Sequence, residues 1–187
     1  TQNTKVGVQR IPVNQNNKFV SRIFSRGSWT SNGRFYGGFW QQVGESYRKD
    51  IFINNKPTIE VGYKGIHPSI LSINKGKTFN GYSLDEGILP GLTKEQQTKA
   101  LKLLVLKTLT ASSKQKAYNA FRASSDISLQ NQDLGKLMDG FLELNPHLAD
   151  ELYTDKLANL MYQDSLLAEY VIKKFTYSDV PILCLND

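Results

Sequence analysis

Pro57-Thr58-Ile59-Glu60-Val61-Gly62-Tyr63-Lys64-Gly65-Ile66-His67-Pro68-Ser69-Ile70-Leu71 reads as a strand that stops abruptly and becomes a helix. Residues 58–61 are rich in β-formers. Gly62 and Gly65 then relax the backbone, and Pro68 suits the first turn of a helix. Strand ends that feed helices through small residues gather backbone N–H groups and side chains, which is where many folds place their chemistry. The same pattern also describes a plain βα turn in a basic domain, with no site at all.

Outward from this stretch the chain divides into a β-rich front and a helical back. Residues 1–18 are polar, with an Asn/Gln cluster at Asn14-Gln15-Asn16-Asn17, and read as an extended arm. Residues 19–24 read as a short helix, 27–33 as a turn-rich loop, and 34–43 as a glycine-interrupted strand or loop. Residues 47–53 and 58–61, flanking Asn54-Asn55-Lys56, form a β-hairpin pattern. A short helix is expected from His67 to about Ile73, stopping at Lys75-Gly76, and 77–92 as a surface loop. Thr93-Lys94-Glu95-Gln96 has the form of a capping box. It launches a helix through about Thr110, whose apolar face is Ala100, Leu101, Leu104, Val105 and Leu109. Ser112-Ser113 recaps a second helix to about Ala123. Asn131 caps a third to Leu144, Pro146 starts a further turn, and Asp155 to Phe175 is amphipathic. Residues 181–185 read as a buried apolar strand ending at Asp187, either a fold cut short or a natural terminus.

Composition narrows the class. At 187 residues, 40% apolar and 11% aromatic, the chain suits one domain or a piece of a larger protein. No run approaches the roughly 18–20 apolar residues of a membrane span, and no signal-peptide pattern opens the chain, so no membrane partner and a cytoplasmic location are expected. The lone Cys184 excludes an internal disulfide framework, and with only His67 and His147 a zinc site is not expected. The net charge of +6 is uneven: residues 1–75 hold 11 Lys and Arg against 3 Asp and Glu, whereas 76–187 hold 12 against 14. A basic front interleaved with Phe19, Phe24, Trp29, Phe35, Tyr36, Phe39, Trp40 and Tyr47 suits phosphate contacts with aromatic stacking. It equally suits a soluble protein whose basic face is solvated and whose aromatics are core.

Four sequence words stand in a telling order: Gly33-Arg34-Phe35-Tyr36-Gly37-Gly38-Phe39-Trp40-Gln41, then Gly62-Tyr63-Lys64-Gly65-Ile66-His67, then a helix bearing Lys99 and Lys102, then Pro181-Ile182-Leu183-Cys184-Leu185-Asn186-Asp187. This order resembles the palm region of single-subunit polymerases (family A DNA polymerases and phage-type RNA polymerases), by way of a set of phage and prophage proteins. The second word stands where motif A would be, the lysine helix where motif B would be, and the last word where motif C would be. The resemblance covers about 33–187. It breaks at the metal-binding aspartate of motif A, which here is Gly62, and at the histidine of motif C, which here is Asn186. Thr110-Ala111 stands where motif B has an aromatic-Gly pair.

The resemblance implies an α+β fold: a small antiparallel sheet packed on one face by helices, palm-like and cut short at the C-terminus. Its domains would be a polar N-terminal arm over 1–32 and a single palm-like domain over 33–187, with finger-like helices at 93–124. It implies a nucleic-acid partner, DNA or RNA, and a nucleoside triphosphate. Two Mg²⁺ or Mn²⁺ ions would be held by paired carboxylates for in-line phosphoryl transfer. Of that pair only Asp187 remains, as catalytic and metal residue. Glu60 would lie on the same side as Gly62, roughly 7 Å further back along a strand. Lys102 is implied at the incoming triphosphate, with Tyr63, His67, Arg34 and Arg48 as further substrate-binding residues. His67 reads equally as a hydrogen bond within the βα turn, the lysines as a solvated helix face, and Arg34, Arg48 and Lys64 as solubilising charge. With glycine in the metal position, catalysis is expected to be impaired. The alternatives are a non-catalytic nucleic-acid-binding module and a protein-interaction domain using the basic face.

Overall fold

A computed structural model describes residues 13–85 and 87–185. The fold is α+β: among the described residues there are two two-stranded antiparallel sheets, six α-helices and two 3-10 helices.

Both sheets are hairpins whose turns are set by left-handed residues. Strands β1 (Ser21–Ser25) and β2 (Ser28–Tyr36) are joined through Arg26 and Gly27, at φ 56° and 62°. Strands β3 (Phe52–Ile53) and β4 (Lys56–Pro57) are joined through Asn54 and Asn55, at φ 50° and 61°. Positive φ at both central residues is the type I′ geometry, whose twist matches that of the strands it connects. Phe52 pairs with Pro57 and Ile53 with Lys56. A second left-handed pair, Asn32 and Gly33 at φ 66° and 77°, interrupts the pleat midway along β2.

The chain divides into two compact units. The larger comprises Phe24–Gly33 and Gly62–Leu167. Its helices are α2 (Ile66–Asn74), α3 (Lys94–Thr110), α4 (Lys114–Ser124), α5 (Asn131–Leu144) and the start of α6 (Leu157–Tyr177), with a 3-10 helix at Pro146–Glu151. Helix α3 begins with the expected box: Gln96 N–H donates to Thr93 Oγ1 (3.2 Å), and Thr93 N–H to Gln96 Oε1 (2.9 Å). It packs against α4 and α5. Leu101, Leu104 and Leu109 of α3, Phe121 of α4, and Leu134, Leu137 and Phe141 of α5 are all essentially inaccessible to solvent. The 77–92 segment contributes to this core through Leu84 and Leu89.

The smaller unit comprises Thr1–Ile23, Arg34–Val61 and Ala168–Asp187, and includes the β3–β4 hairpin and the one-turn helix α1 (Glu45–Arg48). Here the word 33–41 has a structural task. Trp40 is buried, and its Nε1–H donates to the Cys184 carbonyl at 2.7 Å. Gln41 Nε2 donates to the carbonyls of Phe35 (2.8 Å) and Cys184 (3.1 Å), while its Oε1 accepts from Gly37 N–H (3.0 Å). A Cβ on Gly38 would fall 2.4 Å from the Trp40 ring, so only glycine lets the chain pass over it.

Several expectations are corrected. Residues 21–33, read as the end of a short helix and a turn-rich loop, belong to the β1–β2 hairpin, because two left-handed residues close its turn; the strand expected from Arg34 is the end of β2. The hairpin at 52–57 is shorter than the pattern suggested: 58–61 carries on from β4 without joining a ladder. Residues 181–185 form no strand either. The Cys184 carbonyl that a ladder would use is taken by two side chains instead. The neighbouring strand pair ending at Gly62 and Asp187, implied by a palm, is therefore not formed by these segments, and Asp187 itself lies outside the described residues. The cap of α5 is Gln130, one residue before Asn131, whose side chain accepts from Arg122. Helix α6 starts at Leu157 because Asp155 is left-handed at φ 52°.

Leu104→Ala is expected to lower stability by about 2–5 kcal/mol, the range for emptying a sealed apolar site. Thr93→Ala should cost about 0.5–2 kcal/mol through loss of the cap. Urea unfolding of both variants checks the ranking.

Candidate functional site

Within the larger unit, two of the sequence words meet at one ring. Gly65 precedes α2 in the left-handed conformation at φ 63°. A Cβ there would lie 2.7 Å from Phe79 Cε1 and 3.0 Å from Tyr82 Cε2, so glycine is required twice over. Tyr82 packs edge-on to Phe79 (5.1 Å) and stacks on Phe141 (5.9 Å, 24°). From α3, Lys102 Nζ sits 5.9 Å from the centre of the same ring. The glycine turn and the lysine helix thus flank Tyr82, which sequence reasoning placed in a featureless loop.

What holds Tyr82 there is Asn145, at the end of α5 and fully buried. Its Oδ1 accepts from Asn80 N–H (2.9 Å), and its Nδ2 donates to the carbonyls of Gly81 (3.2 Å) and Phe141 (3.1 Å). Asn80 Nδ2 returns a bond to the Leu144 carbonyl at 2.6 Å. Burial pushes the Tyr82 phenol up to about 12, because the phenolate would lose its hydration.

Next to this ring, α3 presents an open, shallow depression lined by Lys94, Glu95, Thr98, Lys99 and Lys102. These positions share one helix face, opposite the stripe sealed in the core. None of the three lysines is ion-paired with a described carboxylate, whereas Lys75, Lys156 and Lys173 all are. Unneutralised ammonium groups on a fixed helix face can take phosphate oxygens as point charges.

The other implied site residues are distributed differently. His67 is buried at the start of α2, and Tyr63 is 70% exposed just before it. Arg34 and Arg48 belong to the smaller unit. Arg34 is buried, 6% exposed. Arg48 grips Glu60 through Nε (2.8 Å) and Nη2 (2.7 Å), and these hydrogen bonds hold the Glu60 carboxyl below its ordinary range. With both oxygens committed, Glu60 offers no free carboxylate beside Gly62. Among the described residues no three His, Cys, Asp or Glu side chains are grouped to hold a metal ion, and no helix is long and apolar enough to cross a membrane.

Sequence reasoning also missed a polar cluster between α2 and the 3-10 helix. Ser72 Oγ donates to the Pro68 carbonyl (2.8 Å) and lies 2.7 Å from His147 Nε2. Lys75 joins Asp150 and Glu151, and Lys156 also reaches Glu151. Burial alone would raise the Glu151 carboxyl, but hydrogen bonds from Lys156 and Lys75 bring it below its usual range. The cluster is a fastening: Ser72 is wholly inaccessible.

Because folding raises the Tyr82 phenol above its unfolded value near 10, the associated stability is complete below that pH and lost as pH climbs toward about 12. Tyr82→Phe keeps the ring and removes this loss, so its stability should fall less steeply over that window than that of the parent in urea titrations. Compared with known proteins, the chain matches no family model, no curated protein and no solved structure.

Proposed function

We propose that this chain binds nucleic acid through the lysine face of α3, with the Tyr82 ring and the exposed Tyr63-Lys64 turn alongside, and that it transfers no nucleotide. The observation carrying this reading is the set Lys94, Lys99 and Lys102: three cations on one open helix face that carries a single carboxylate, Glu95, and none of the three in an ion pair with a described residue. Phosphates binding there would release condensed counterions, which is the main source of sequence-independent affinity for nucleic acid. Tyr63, exposed beside such a row, supplies a stacking face that tolerates any base. Lys102 is also the residue that the polymerase resemblance would set against a triphosphate, so a phosphate-binding lysine serves either ancestry. The non-catalytic part rests on Gly62 and on the commitment of Glu60 to Arg48, which leave the first carboxylate position of a two-metal site empty of donors.

Anisotropy titrations with labelled single- and double-stranded DNA and RNA over a salt series test the binding. The log of affinity should fall linearly with the log of salt concentration. Lys99→Ala and Lys102→Ala should each weaken binding and flatten the slope by about 0.7–0.9. No binding at low salt, or full binding by the Lys94/Lys99/Lys102 triple alanine variant, would refute it. Primer extension with Mg²⁺ or Mn²⁺ should give no product; templated product abolished by Asp187→Ala would overturn the non-catalytic reading.

A further inference from the structure

Inside the larger unit, the chain enters α2 through Gly62-Tyr63-Lys64-Gly65. Gly65 is the fixed point of this entry. A Cβ there would strike Phe79 and Tyr82, so its backbone lies directly on the two rings. Tyr63 stands two residues earlier, hence within about 7 Å along the chain, and its ring is largely exposed. Among the described residues, nothing lies within 4 Å of where a Gly62 Cβ would be, so the backbone before Tyr63 is open to an approaching ligand. A tyrosine so placed has only two side-chain torsions to order on binding. The lysine face of α3 reaches the same place, because Lys102 Nζ sits 5.9 Å from the centre of the Tyr82 ring. Lys94 and Lys102 are about 12 Å apart along the axis by helical rise. Lys64, exposed next to Tyr63, adds a fourth cation that is ion-paired with no described residue. Against these the depression carries one carboxylate, Glu95.

We infer that this face takes single-stranded rather than duplex nucleic acid, with one unpaired base on the Tyr63 ring and neighbouring phosphates on Lys64 and Lys102; the inference rests on the nucleic-acid binding proposed above for α3. Lysines alone would accept phosphates from either form. The exposed ring makes the difference. In a duplex each base is covered on both sides by its neighbours, so a ring approaching from outside meets no π-face. A single strand can turn a base outward and stack it on an aromatic side chain. An acidic protein would match the charge but leave the ring without a planar partner. Single strands of DNA and RNA offer the same phosphates and bases to these groups.

Anisotropy titrations of the full chain with labelled oligothymidylate, oligouridylate and a duplex hairpin of equal phosphate count test this. Both single strands should bind at least about tenfold tighter than the hairpin. Abasic spacers in the oligothymidylate keep every phosphate and remove the bases, and should cost the parent about 5- to 150-fold in affinity. Tyr63→Ala should lose that factor on the natural strand, lose nothing further on the abasic one, and keep the parent's salt slope. Tyr63→Phe should bind like the parent, and Tyr63→Leu like the alanine variant. A hairpin bound as tightly as the single strands, or abasic and natural strands bound alike, would overturn the inference; the lysine face would still stand if the triple alanine variant loses binding. Polyglutamate displacing the strand as well as an equally charged oligothymidylate would also overturn it, since the face would then read charge alone. No binding of any nucleic acid would end both proposals.

Discussion

The constraint on which the larger unit depends is the burial of one stripe of α3. Leu101, Leu104, Val105 and Leu109 are sealed beneath α4 and α5, and the Thr93–Gln96 box fixes where the helix begins. A helix locked on one side has no rotational freedom left on the other. Lys94, Lys99 and Lys102 therefore face outward by geometry, and their mutual spacing is set by the helical repeat. The candidate interface is rigid because the core behind it is close-packed.

The Tyr82 platform follows from the same core. Phe141, one of the least accessible side chains, supplies the surface on which Tyr82 stacks. Asn145, four residues on, bonds the backbone of Asn80 and Gly81 so that the loop cannot swing away. All of these Asn145 groups are satisfied, which is the condition for a buried amide to stabilise rather than cost. The left-handed Gly65 then lets α2 start directly against the two rings.

Much of this was legible in the sequence where a local rule sufficed. The capping box of α3, the Asn54-Asn55 turn, the stop of α2 at Gly76 and the apolar stripe of α3 all follow from residues within one or two turns of each other. What escaped the sequence depended on distant partners. Arg26-Gly27 is a less familiar turn signal than Asn-Gly, so the β1–β2 hairpin read as helix and loop. Residues 58–61 have strand composition yet join no ladder among the described residues. Residues 181–185 look like a buried strand, but Trp40 and Gln41, over 140 residues away, capture the Cys184 carbonyl. Of the implied site residues, Lys102 and the turn before His67 do converge. Arg34 and Arg48 are instead taken up by burial and by Glu60, which no spacing rule foretells, and Asp187 lies outside the described residues.

Backbone-amide NMR during titration with a short oligonucleotide addresses the central claim most directly, because it locates the contact residue by residue. The account predicts that shifts concentrate on 94–102 of α3, on Tyr82 and on 63–66. Shifts confined to other surfaces, with α3 silent at saturation, would contradict it.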